Sequence, residues 1–309
     1  MPVCEINICV VTCDRPHYLH RLLTELERYE SNLFMQLCCK LLIVDNSTTN
    51  SSGVIYQRST QRNALPLKYI RAHKKGLAIA RNVAIDYSIT NSKYLCFIDD
   101  DELPTNEWLR ELVQIQKETN ADCVYGPVYP VLPPDAPAWI KRGRFFDPPL
   151  FDENNPAISA GAGNMMISCA FLKKTGLRFD ERFNLSGGED SFFLLQGQKK
   201  HGMKIIGAKQ AIVWEPVDPA RLNPGWIVRR KFRIGNGLAL FETFGKTPFY
   251  VKVIRGFKGF ARILMGIAIM PCGLLLGKHI AVKGVVMMAF GAGMLSGICG
   301  YVYKEYAQK

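Results

Sequence analysis

Residues 95–102 read Leu-Cys-Phe-Ile-Asp-Asp-Asp-Glu, an apolar run that stops abruptly at four acids. The run has the length and composition of a short buried strand. Its C-terminal end delivers Asp99, Asp100 and Asp101 into a loop, and in an open α/β sheet ligands bind outside that edge. Clustered carboxylates repel, so a positive charge is expected beside them. A hard divalent cation, Mg2+ or Mn2+, with a bound diphosphate fits, because such ions take carboxylate and phosphate oxygens. A solvated acidic turn is the alternative for an isolated triplet, and the rest of the chain decides between the two.

The segments around this stretch alternate in period. Glu5–Thr12, Lys40–Val44 and Leu67–Ile70 read as strands, and Tyr18–Glu30, Gly76–Ser88 and Glu107–Glu118 as helices. Strands alternating with helices at this spacing imply βαβ units and a parallel sheet. A further strand is expected over Asp122–Val128, and another over Met165–Ser168 after Ala160-Gly161-Ala162-Gly163-Asn164. Phe171–Gly176 starts and stops a helix, and Ala211–Trp214 is a strand within Lys204–Glu215. Between Pro130 and Pro156 fall seven prolines, so this segment is an irregular crossing: a lid, a groove lining or a passive connector.

Charge is unevenly distributed over the 309 residues. Residues 1–125 carry net −1, 126–245 net +5 and 246–309 net +8. These three parts are the expected divisions: a ligand-binding half 1–125, a second half 126–245 with the remaining acids and a basic helix, and a tail 246–309. A near-neutral first half argues against nucleic acid. A basic excess on an apolar tail points to an anionic membrane surface. The ten cysteines lie mostly within apolar runs and form no Cys-x-x-Cys pair, so buried thiols in a reducing cytosol are expected in place of a zinc site. The N-terminus shows no signal-peptide pattern.

Ser186-Gly187-Gly188-Glu189-Asp190 is the second informative stretch. The glycines permit a tight turn, and two acids in a helix's first turn suit the macrodipole. They are either a cap or a general base facing the first acidic cluster, while Phe192 and Phe193 read as core. Pro224–Phe244 reads as a basic amphipathic helix carrying Arg229, Arg230, Lys231 and Arg233. Its basic face is either solvated or a cationic clamp on a leaving diphosphate. In the tail, Ile263–Leu276 and Gly284–Val302 are apolar and separated by Lys278 and Lys283. A re-entrant or spanning hairpin is the first expectation, with Lys252, Arg255, Lys258 and Arg262 on the cytoplasmic side. An in-plane amphipathic pair is the second, and a soluble helical cap the third.

Val11-Thr12 with Arg15-Pro16, Val44-Asp45-Asn46, Ala80-Arg81-Asn82, Asp99-Asp100-Asp101, Glu189-Asp190 and Arg229-Arg230-Lys231-Phe232-Arg233 follow one another in that order. The order resembles a family 2 glycosyltransferase of GT-A fold over roughly residues 4–240. FIDDDE, SGGED and VWEPVDPARL with RRKFRIGNG are similar to bacterial succinoglycan-type exopolysaccharide glucosyltransferases. The resemblance implies a Rossmann-like, mostly parallel central sheet flanked by helices, followed by a membrane-associated helical tail. It implies that Thr12, Arg15 and Asp45 line a nucleotide pocket, Asp45 facing uracil, with Arg81 near the base or diphosphate. Asp99 would contact the ribose side, Asp101 would ligate Mg2+ or Mn2+, and Asp100 would share either role. Asp190 would be the catalytic base, with Glu189 beside it. Arg229, Arg230 and Arg233 would approach the diphosphate or acceptor. Many relatives place His after the strand ending here in Val213; this chain has Trp214-Glu215, so either Glu215 is a third ligand with Asp99 and Asp101 or the metal is held by Asp101 and phosphates alone.

The implied reaction is inverting transfer of a hexose, glucose first, from a UDP-sugar to a polyprenyl-diphosphate-linked oligosaccharide at the cytoplasmic face of a bacterial inner membrane. The alternatives are a catalytically silent membrane-surface protein and an enzyme acting on soluble or protein acceptors. Intact acids at both 99–101 and 189–190 argue against the silent protein.

Overall fold

A computed structural model describes residues 4–28, 34, 36–47, 53, 66–148, 151–152, 161–245 and 247–305. The end of the helix expected to reach Glu30, and Ala160, lie outside these residues. The chain forms two compact units. One comprises Met1–Pro130, Pro148–Asn184 and Glu189–Pro216; the other comprises Val131–Asp147, Leu185–Gly188 and Val217–Lys309.

The first unit is a mixed α/β layer structure. Its strands are β1 (Cys4–Thr12), β2 (Cys39–Asp45), β3 (Leu67–Arg71), β4 (Ser92–Asp99), β5 (Leu103–Pro104), β6 (Cys123–Tyr125), β7 (Val128–Val131), β8 (Asn164–Ser168), β9 (Ile205–Gly207) and β10 (Val213–Pro216). Its helices are α1 (Pro16–Arg28), α2 (Leu77–Asn91), α3 (Trp108–Thr119), α5 (Cys169–Thr175) and α6 (Glu189–His201), α4 (Ala138–Gly143) belonging to the other unit. The main sheet runs β3-β2-β1-β4-β8-β6-β9. It is parallel except at β8, which is antiparallel to both neighbours. A small second sheet runs β5-β10-β7.

Strand periodicity explains the two cores. Alternate side chains point to opposite faces of a strand. Ile6, Ile8 and Val10 of β1 and Cys96 and Ile98 of β4 enter one apolar cluster, with Leu19, Leu22 and Leu23 of α1 and Trp108 of α3. Cys9 and Val11, with Leu95 and Phe97, enter the other, beneath Ala80, Ala84 and Ile85 of α2. Both clusters are closed to water, which is why the strands read as continuous apolar runs. Cys9, Cys96 and Cys123 are buried thiols outside any disulfide.

Two expectations on strands need correction. Asp122–Val128 is not one strand: β6 ends at Tyr125, and β7 begins at Val128 in the other sheet. Gly126-Pro127 forces the change, since proline donates nothing to a ladder. The buried Asn164 side chain fills the break, donating to Pro127 O (3.1 Å) and Ala211 O (2.7 Å) and accepting from Trp108 Nε1 (2.8 Å). The strand expected over Ala211–Trp214 begins two residues later, and β9 precedes it. Phe192 and Phe193 are core, as expected.

In the second unit, α4 and the segment around it build a small apolar cluster of Ile140, Phe146, Val217 and Ile227. Helix α7 (Pro224–Phe244) has the expected bounds; Asn223 caps it by accepting from Trp226 N at 2.8 Å, and proline follows the cap. It is followed by α8 (Phe249–Ile269), a single turn, α9 (Gly273–Leu276) and α10 (Lys278–Ile298). Phe249–Leu276 and Lys278–Ile298 are long and apolar enough to cross a membrane, by length and composition.

Asn164→Leu is expected to lower stability by about 2–4 kcal/mol, because it strands a buried indole N–H and two carbonyls. Urea unfolding monitored by circular dichroism checks this; a loss below about 1 kcal/mol would show that the break at Gly126-Pro127 needs no such support.

Candidate functional site

The sheet register aligns the site. Thr12 lies opposite Asp45, and Val11 opposite Asp99, so the C-terminal ends of β1, β2 and β4 share one edge. Thr12 Oγ1 donates to Asp100 Oδ2 at 2.8 Å. The left-handed residue Asp14 (φ 52°) ends β1 and leads to Arg15. Arg15 Nη1 lies 3.2 Å from both Asp100 Oδ1 and Asp101 Oδ2. Arg21, from α1, donates to the Asp101 carbonyl at 3.0 Å. Asp45 is fully buried and accepts from the Tyr69 hydroxyl (2.6 Å) and from Ser47 N (2.8 Å). Burial, then this bond, raises the Tyr69 phenol above its ordinary pKa.

Arg81 joins the two acidic motifs. It lies on α2 and is buried, with its guanidinium against the Phe179 ring. One Nη contacts Glu189 Oε1, and the other lies 3.3 Å from Asp99 Oδ1. Burial works against the arginine's charge but is outweighed by Glu189, Asp99 and Asp190, which raise its pKa. Glu189 is raised to about 7, chiefly by burial, with Arg81 opposing and Asp190 adding. Arg81 Nε and Glu189 Oε2 are buried with no hydrogen-bond partner among the described residues.

Glycines at positive φ (Gly187, 73°; Gly188, 91°) turn the chain into α6. Asp190 Oδ1 accepts from Ser191 N at 2.7 Å, and Oδ2 faces Ala162 N at 3.4 Å. The acid is half-exposed beside Gly161. Asp190 thus lies in the first turn of α6, where it accepts from the next residue's N–H, and is in part accessible.

Burial and neighbouring carboxylates raise several of these acids. Asp99 is raised by desolvation, opposed by Arg81 and reinforced by Asp101 and Asp190. Asp100 is raised to about 7, mainly by burial, with Arg15 opposing. Glu102, fully enclosed, is pushed well above the carboxylate range by burial, then Asp99, with its bond from Asp99 N opposing; Asp101 and Glu215 add to the rise. Glu215 is brought to this cluster by β10, whose Trp214 pairs with Leu103 of β5.

Residues 7–178 match the model of "Glycosyl transferase family 2". The chain belongs to this family. It is also 29% identical over 202 residues to the succinoglycan biosynthesis protein ExoM of Rhizobium meliloti, the match covering 63% of this chain and 62% of that protein. Among solved structures it is similar to the mannosyltransferase PcManGT of Pyrobaculum calidifontis in complex with GDP-Man and Mn2+ (TM-score 0.63, 16% identity, 95% of this chain and 87% of that one). It is also similar to S. aureus TarS 1-349 in complex with UDP-GlcNAc (TM-score 0.51, 15% identity, 97% and 93%). At these identities the structures establish the shared GT-A fold.

In this glycosyltransferase the acids fit a divalent cation. Asp99, Asp101 and Glu215 are hard oxygen donors, with Arg81 paired to Asp99 and Arg15 to Asp101. Among the described residues no three His, Cys, Asp or Glu side chains form a ready-made cage. One or two carboxylates completed by phosphate oxygens is how Mg2+ is commonly held.

Thr12, Arg15, Arg81, Asp99–Asp101, Glu189, Asp190 and Glu215 thus fall in one unit, with Asp45 along its edge. Arg229, Arg230 and Arg233 belong to the other unit. There Arg230 lies over the Trp226 ring at 5.1 Å, and Arg233 Nε is buried without a partner. Sequence reasoning assigned no role to Glu102, Arg21 or Gly163. A Cβ on Gly163 would overlap the Glu102 carboxylate. The fourth acid of the run was the available signal for Glu102; nothing local marks Arg21.

Two outcomes are expected. Arg81→Met should cost about 3–5 kcal/mol in denaturant unfolding, because it leaves Glu189 buried without its cation. Glu189→Gln should change the pH profile. The folded pKa of Glu189, about 7, lies above its ordinary 4.5, so the folded state binds the extra proton and the wild type loses stability as pH rises from about 4.5 to 7. Relative to wild type, the variant should gain stability across that window, read by calorimetry in metal-free buffer; a pH-independent difference would refute the shift.

Proposed function

We propose that this glycosyltransferase moves a hexosyl group, glucose as first choice, from a UDP-sugar to a hydroxyl of a polyprenyl-diphosphate-linked oligosaccharide, with inversion, in exopolysaccharide or cell-surface polysaccharide synthesis. The observation that carries the reading is the Arg81 bridge, through which Asp99 and Glu189 join one acidic cluster beside the strand ends. The relative's role in succinoglycan biosynthesis supports the polysaccharide. The nucleotide sugars and Mn2+ named for the structural neighbours support the donor class and the metal.

Residues 1–125 are assigned to the donor, 126–245 to the acceptor and catalysis, and 246–309 to the cytoplasmic face of the inner membrane. Thr12, Arg15 and Asp45 are assigned to the nucleotide, Asp99 and Asp100 to its ribose or diphosphate side. Asp101, with Asp99 or Glu215, would hold Mg2+ or Mn2+, which when bound supplies positive charge to the departing diphosphate. Arg229, Arg230 and Arg233 are assigned to the diphosphate or the acceptor. The acceptor oxygen attacks the anomeric carbon from the face opposite the diphosphate. Its proton passes to an Asp190 carboxylate oxygen, the new C–O bond forms, and the bond from carbon to the phosphate oxygen breaks with its electron pair leaving on UDP. One displacement inverts the centre, so one base suffices. Arg81 holds Glu189, and with it the start of α6, against the donor-side acids.

Thermal shift with UDP-, GDP-, dTDP- and CMP-sugars, with and without Mn2+, tests the donor. A Mn2+-dependent shift confined to UDP-sugars is expected; none with any nucleotide would overturn the reading. Asp190→Asn should lower transfer by at least about 100-fold with UDP binding retained, and loss of binding there would remove the base assignment. Asp101→Ala should lose the Mn2+-dependent part of UDP binding.

A further inference from the structure

The two apolar C-terminal segments pass a length test for crossing a bilayer, but their packing separates them. Helix α10 is the more covered of the two: from His279 to Ile298 every residue is buried or half-buried. One side lies on α7, where a methyl on Gly293 or Gly297 would strike the carbonyls of Phe232 or Asn236. The other lies on α8, where Gly291 and Gly284 meet the carbonyls of Gly259 and Gly266. Asn236 locks the α7 contact, donating to Ser296 Oγ at 2.9 Å and to Tyr301 O at 2.8 Å. Helix α7 runs beside α10 and carries Arg229, Arg230, Lys231 and Arg233. An α10 that crossed the hydrocarbon would take those cations with it, at high cost.

Helix α8 is different. Its inner face holds Gly259 and Gly266, and Arg255 turns in to Glu242, Nε donating at 2.9 Å. At about 100° per residue, Ile254, Phe257, Phe260 and Leu264 fall on the outward side, and all are exposed, Phe257 by 76%. Leu274 and Leu275, beyond the end of the helix, are each 91% exposed. The uncharged interval between Arg262 and Lys278 is residues 263–277, about 22 Å if helical throughout, against a hydrocarbon core of about 30 Å. No acid occurs between Glu242 and Glu305, whereas Lys252, Lys258 and Arg262 lie along the helix. An apolar outward stripe with cations alone beside it complements an anionic lipid surface.

We propose that α8 and the Leu274–Leu275 turn lie in the plane of an anionic bilayer surface, their outward apolar side sunk to the acyl boundary, while α10 stays within the protein. This rests on the membrane-associated reading above and fixes its mode as in-plane, not spanning. The test uses the full chain, floated with phosphatidylcholine vesicles with or without phosphatidylglycerol. Binding is expected to need the anionic lipid, to weaken with salt and to be released by alkaline carbonate. Phe257→Asp with Leu264→Asp should weaken it at least about tenfold, with helical content retained by circular dichroism. In an otherwise unchanged chain, Phe257→Trp should add fluorescence that brominated acyl chains quench, which decides the matter even if the double variant fails to fold. Three results would overturn the proposal: carbonate-resistant insertion with Lys278 cleaved by trypsin only from the opposite side; an added fluorescence in the Phe257→Trp variant that brominated lipid leaves unquenched; or a dimer broken by the double variant without vesicle binding, which would make a second copy the occupant. UDP-sugar transfer is scored separately, so loss of transfer with vesicle binding intact would count against the donor reading and leave this one standing.

Discussion

A guanidinium withdrawn from water holds the site together. Arg81 enters from α2, which packs on one face of the sheet, and meets Asp99 at the end of β4 and Glu189 at the start of α6. Its charge is tolerable there because two carboxylates answer it, and the buried Glu189 carboxylate in turn depends on it, while Asp99 is partly exposed to water. The Phe179 ring, stacked on Phe193, covers the guanidinium from the apolar side. The bridge therefore couples two motifs far apart in sequence, Asp99 on β4 and Glu189 at the start of α6.

Around that bridge the described residues bring several further acids together. Arg15 answers Asp100 and Asp101, Arg21 takes a carbonyl, and Glu102 is pushed toward its neutral form beneath them. Such an arrangement suits a site that brings a dication and a diphosphate together, since each supplies what the other lacks.

The C-terminal helices follow a different logic. Glycine contacts let α7, α10 and α8 approach to backbone distance, so α10 is covered on two sides by neighbouring helices. The outward side of α8 has no such cover. Similar hydropathy along the two segments thus corresponds to different environments.

Much of this was legible in the chain. The apolar run ending at Asp99, the glycine turn before Glu189 and the span of Pro224–Phe244 depend on local period and turn chemistry, which short stretches carry in full. The order of the motifs marked the glycosyltransferase family. The split between Tyr125 and Val128 was signalled by Gly126-Pro127, but its filling by Asn164 was not, because that side chain comes from another strand. The pairing of Arg81 with Glu189, the burial of Glu102 against Gly163, the reach of Arg21 and the covering of α10 were decided only by tertiary structure. Each joins residues distant in sequence, and a charge or an apolar face acquires its meaning from what the fold sets against it.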